Sequence, residues 1–114
     1  MEEIRDNSYI YTSKVRDKAC RYVVLLSIYA RPEYTAKGLC DRIKGRMSYH
    51  NGDDWDAVVE HIEVKYRGER RPFHAKVVVY SDDFDKKKFK EQLYLRFGRT
   101  STKPWVSCRV HAVH

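Results

Sequence analysis

The sequence predicts an α+β domain in which four antiparallel strands carry two helices on one face. Three observations lead there. Four segments show period-two alternation or β-branched runs, two show apolar residues at helical spacing, and the six follow one another as β-α-β-β-α-β. A chain of 114 residues can build one core and not two. With 42% hydrophobic and 34% charged residues it reads as globular, and no apolar run approaches the ~20 residues of a membrane-spanning helix.

Residues 1–18 read as a polar N-terminal tail, with an apolar patch at Tyr9, Ile10 and Tyr11 that has room for a short strand; residues 19–114 read as the domain. The run RYVVLLSIYA (21–30) predicts a central strand, stopped by Pro32. Thr35 is placed to cap a helix over about 35–47, whose apolar positions are Leu39, Cys40, Ile43 and Met47. AVVEHIEVKY (57–66) alternates, which puts Ile62, Val64 and Tyr66 on one face and Val59, His61, Glu63 and Lys65 on the other. A basic hairpin loop, RGERRP, leads into FHAKVVVY (73–80), whose Phe73, Ala75, Val77 and Val79 suit a core. The stretch 81–98 predicts the second helix, capped by Ser81 or Asp82, with Phe89, Leu93 and Phe97 inward and Gly98 as its stop. The last strand, near 105–113, sets Val106, Cys108, Val110 and Ala112 against Trp105, Ser107, Arg109 and His111. This order is that of the ferredoxin-like split β-α-β-β-α-β sandwich, a four-stranded antiparallel sheet in spatial order 4-1-3-2 with both helices on one face.

Such a sheet has an open face, and the sequence puts distinctive groups there. His74, Lys76, Val78 and Tyr80 come from the third strand, His61, Glu63 and Lys65 from the second, Trp105, Arg109 and His111 from the fourth, and Ser27 and Tyr29 from the first. The chain has 23 Lys and Arg against 16 Asp and Glu, a net charge of +7, and a field of that sign attracts polyanions. Rings that stack bases, beside cations that meet phosphates, form a platform for single-stranded nucleic acid. The predicted contacts are Arg67, Arg70, Arg71, His74, Lys76 and Arg109 toward the backbone, with Tyr80, Tyr29 and Trp105 for stacking. Lys86, Lys87, Lys88 and Lys90 read as a solvated helix face. No basic amphipathic helix points to a membrane surface. The alternative partner is a second copy of the chain, packed face to face through the apolar residues of the open face.

The segment EHIEVKYRGERRPFHAKVVVY (60–80) resembles the histidine-bearing hairpin of rolling-circle replication initiators and related nicking enzymes, which share this topology. That resemblance implies a metal-dependent endonuclease: His74 as the first motif histidine, Glu63 as the carboxylate and His61 as a third ligand would hold Mn²⁺ or Mg²⁺, with Tyr94 or Tyr80 as nucleophile. Lys76 stands where the family's second histidine belongs. RNA-recognition motifs require a glycine-flanked pair of aromatics on the third strand, and the sequence here lacks it. No GxxxxGK[ST], GxSxG or HExxH motif is present. The binding-module reading therefore needs no cofactor, and the nicking reading needs the metal.

Three cysteines, Cys20, Cys40 and Cys108, without CxxC spacing predict free thiols in a reducing compartment rather than a disulfide framework. The acidic start, MEEIRDNS, carries no apolar h-region, so the expectation is a soluble intracellular protein.

Overall fold

The computed structural model describes residues 8–14, 20–30, 34–48, 57–67, 73–82, 85–98 and 106–114. The elements are β1 (Ser8–Thr12), β2 (Cys20–Ala30), α1 (Ala36–Ser48), β3 (Val58–Tyr66), β4 (Phe73–Ser81), α2 (Lys86–Leu93), a π-helical turn (Tyr94–Gly98) that continues α2, and β5 (Val106–Val113). The architecture is α+β. All five strands form one sheet in the order β1-β3-β4-β2-β5, and every pairing is antiparallel.

The sheet thus has five strands, where the sequence predicted four. The tail's apolar patch supplies the extra edge: β1 pairs with β3 from Ser8 opposite Lys65 to Thr12 opposite His61. The pairing runs on through Ser13, whose N–H donates to Glu60 O (2.7 Å) and whose hydroxyl donates to Val59 O (2.8 Å). Alternation explains the fit. Tyr9 and Tyr11 turn toward α1 and pack against the core, while Ser8, Ile10 and Thr12 stay exposed. Lys37 lies 5.8 Å from the Tyr9 ring centre and Lys44 lies 4.5 Å from that of Tyr11, so α1 clasps the strand through cation–π contacts. Residues 8–12 therefore belong to the domain rather than to a tail outside it.

Both helices cover the same sheet face. Tyr22, Val24, Leu26 and Ile28 of β2, Ile62 and Val64 of β3, and Phe73, Ala75, Val77 and Val79 of β4 join Ala36, Leu39, Cys40, Ile43 and Met47 of α1 in one buried cluster. Phe89, Leu93 and Phe97 complete it, and Tyr22 stacks on Phe89 with ring centres 4.1 Å apart. Thr35 caps α1, its Oγ1 accepting from Gly38 N–H at 3.1 Å. The cap of α2 is Asp85 rather than Ser81 or Asp82, because β4 runs on to Ser81 and buries it. Asp85 Oδ1 accepts from the N–H groups of Lys87 (3.0 Å) and Lys88 (3.3 Å). The ends of the two helices are tied by a reciprocal pair: Arg46 donates to Arg96 O at 2.9 Å and Arg96 to Arg46 O at 3.2 Å.

Two irregularities overturn simple alternation. The β3–β4 register shifts between Val59 and His61, so Glu60 is an extra residue. Val59 consequently lies in the core with Ile62 and Val64, not beside His61 as alternation predicted. On β5, Leu26 pairs with Val110 and Leu25 with Ala112, which makes His111 the inserted residue. Val113, rather than Ala112, then joins the core.

A candidate nucleic-acid interface on the sheet face opposite the helices

Directly paired residues share a face, so the register lays out the side of the sheet opposite the helices. One row across the strands reads Lys65, His74, Ser27, Arg109. The next reads Ile10, Glu63, Lys76, Leu25, Ala112, and the third Thr12, His61, Val78, Val23. His114 ends this third row, exchanging two backbone hydrogen bonds with Val23 (3.1 and 2.9 Å). At one end lie Val58, Tyr80 and Arg21, and at the other Tyr29, half exposed at 50%. Rows are about 7 Å apart and strands about 4.8 Å apart.

The predicted contacts His74, Lys76, Tyr80, Tyr29 and Arg109 are all on this face. Lys76 and Arg109 are exposed, while His74 and Tyr80 are half-buried. Tyr29 and Tyr80 stand near opposite ends, roughly 25 Å apart along the strands. Arg67 follows β3 and is exposed. Arg70, Arg71 and Trp105 lie outside the described residues. Glu63 is the carboxylate within the rows, and Lys65 holds it at 3.3 Å. Four cations, Arg21, Lys65, Lys76 and Arg109, thus outweigh it. Arg21 was not among the expected contacts, although its parity with Tyr29 in the first predicted strand is the signal that finds it.

The residues of the implied metal set are not brought together. His74 pairs with Lys65 and His61 with Val78, so the two histidines are four residues apart along the hairpin, about 13 Å. Ligands of one ion each approach it to about 2.0–2.2 Å. Among the described residues no group of three or more His, Cys, Asp or Glu side chains is placed to hold a metal ion. Tyr94 sits in the π-helical turn, in the helix layer on the other side of the sheet, and Tyr80 is six residues along β4 from His74, about 20 Å.

A pair that sequence reasoning did not single out lies at the centre of the first row. Ser27 is 6% exposed, buried on this face as Val78 is at 4%, and its hydroxyl is 2.5 Å from His111 Nε2. The bulge on β5 delivers this histidine to Ser27, and no local motif announces it.

The thiols lie elsewhere. Burial pushes Cys108 up to about 12 and Cys40 up to about 11, which leaves both protonated and unreactive at neutral pH. No described helix is long and apolar enough to cross a membrane. Neither a family model, nor a curated protein, nor a solved structure matches the chain.

Proposed function

We propose that the chain is a nucleic-acid-binding protein that takes a single strand across the sheet face opposite its helices. The observation that carries this reading is the row Lys65, His74, Ser27, Arg109, with Lys76 in the row beside it. Cations at these intervals can meet successive phosphates, and Tyr29 and Tyr80 offer rings to bases at the two ends. The hairpin tip, Arg67, Arg70 and Arg71, would extend the track. No metal is needed for this function. The nicking-enzyme alternative draws no support from the hairpin register, which holds His61 and His74 apart. The order β3-β4-β2-β5 within the sheet supports classing the domain as a ferredoxin-like split with an added edge strand. Its free thiols fit a reducing, intracellular compartment.

The test is an electrophoretic shift series with single- and double-stranded DNA and RNA at 50 and 200 mM salt. If the four face cations each release a counterion, single-strand affinity falls roughly 50-fold between those salts. Single strands are expected to bind more tightly than duplexes. Failure to shift any of the four at 50 mM salt refutes the proposal.

A further inference from the structure

We propose that Ser27, His111 and Arg109 form a phosphodiester seat at the centre of this face, gripped more tightly when His111 is protonated. The inference rests on the nucleic-acid reading and goes beyond it by naming one phosphate site and its control.

A hydroxyl buried in a central strand needs a hydrogen-bond partner. Ser27 finds it in His111 Nε2 at 2.5 Å, not in a neighbouring backbone group. The inserted residue on β5 re-aims that side chain across the strand gap. With Nε2 committed to Ser27, the ring's other nitrogen, Nδ1, points away from it. Arg109 pairs directly with Ser27 and is exposed, and its side chain is long enough to bring the guanidinium to the same spot. On protonation, Nε2–H donates to Ser27 Oγ and Nδ1–H becomes a second donor beside the guanidinium. Two charge-assisted donors then meet one phosphodiester.

The surroundings favour an anion. On β2 the neighbours of Ser27 on this face are Leu25 and Tyr29. Beyond Ser27 lies His74 on β4, and along β5 lie Arg109, Ala112 and, further on, His114. The carboxylate within the rows, Glu63, is on β3, two strand spacings from β2 and three from β5, roughly 10 and 14 Å, and is held by Lys65. Protonation of His111 adds a charge and a donor to the seat, so the grip strengthens as pH falls.

The experiment is an NMR titration of the histidine rings between pH 5 and 8, with and without a saturating single-stranded oligothymidylate, whose bases stay neutral over this range. Tighter binding to the protonated form by about tenfold raises the His111 midpoint by about one pH unit on saturation, and by more than it raises that of His61 or His114. His111→Gln should weaken binding at pH 6 by about tenfold and leave binding at pH 8 within about twofold. Ser27→Ala should shrink the oligonucleotide-induced rise of His111, since the ring loses its anchor. An equal rise at every histidine, an unmoved His111 midpoint with the oligonucleotide bound, or wild-type affinity of His111→Gln at pH 6 overturns the seat while the nucleic-acid reading stands. Absence of binding at both pH values overturns the reading itself.

Discussion

Leu25 and Leu26 are adjacent in β2 and belong to different molecules in effect. Leu26 is 1% exposed among Val77, Val24 and the helices, whereas Leu25 lies on the other face between Lys76 and Ala112. The same division holds for Val24 and Val23. One face of the sheet is a closed apolar core. Its cationic neighbours on α1 are engaged structurally: Lys37 and Lys44 over β1 tyrosines, Arg42 over Tyr34 at 5.3 Å, and Arg46 over Phe97 at 6.0 Å. On the other face, Lys76 and Arg109 stand exposed: Lys76 lies between Glu63 and Leu25, and Arg109 beside Ser27, with no tyrosine or phenylalanine ring paired to either. Net charge alone therefore says little about where a polyanion binds. What distinguishes the faces is which cations already have work in holding the fold.

The comparison breaks most easily at those leucines. Leu26→Ala should cost about 2–5 kcal/mol, because it removes buried methyl groups and leaves a cavity, whereas Leu25→Ala should cost about 1 kcal/mol or less. Urea midpoints of the two variants decide it, and equal losses would mean that the second face is covered too, as in a face-to-face dimer. A smaller effect tests whether β1 belongs to the covered side. Tyr11→Ala should cost about 1–2 kcal/mol through lost packing and the Lys44 contact, against about 0.5 kcal/mol or less for Ile10→Ala on the same strand. Asp85→Ala should cost about 1 kcal/mol by uncapping α2.

The thiols sharpen the same contrast. In native protein, a thiol reagent should modify half-buried Cys20 well before Cys40 or Cys108, which should react only on unfolding; mass spectrometry of the labelled peptides checks the order. Burial favours the neutral thiols in the folded state. The stability they contribute is full below the usual thiol value of 9.0 and is lost as pH rises toward about 11 for Cys40 and about 12 for Cys108. Over that alkaline interval Cys108→Ala, though less stable overall, should lose less stability than wild type.

Much of this was legible in the sequence, and the exceptions have physical reasons. The strand at 73–80 reads correctly because it carries no inserted residue of its own, the bulge in its pairing with β3 lying on β3, so alternation maps straight onto faces. Alternation fails at Val59 and at Val113, because one inserted residue reverses every assignment beyond it and Glu60 and His111 carry no glycine or proline to mark the bulge. The strand character of residues 8–12 depends on α1 supplying Lys37 and Lys44, a tertiary contact that a local window cannot contain. The face residues His74, Lys76, Tyr80, Tyr29 and Arg109 were found because parity alone assigns them. Whether His61 and His74 stand together depends on hairpin register, which a loop of six residues leaves undetermined in the sequence. The pairing of Ser27 with His111 was missed for a related reason: it needs β5 placed beside β2 and shifted by one residue.

The central claim is that the sheet face opposite the helices, and not charge in general, binds nucleic acid. Two double variants of equal charge test it directly: Lys76→Glu with Arg109→Glu on that face, and Lys87→Glu with Lys88→Glu on α2, where acidic residues near the helix N-terminus are well tolerated. Each lowers the net charge of +7 by four. Affinity for a single-stranded oligonucleotide, measured by fluorescence anisotropy across a salt series, should fall at least about tenfold for the first pair, with the salt slope reduced by about 1.4, and by less than about threefold for the second. Equal losses from the two pairs would contradict the account, because binding would then follow the total charge and not the face.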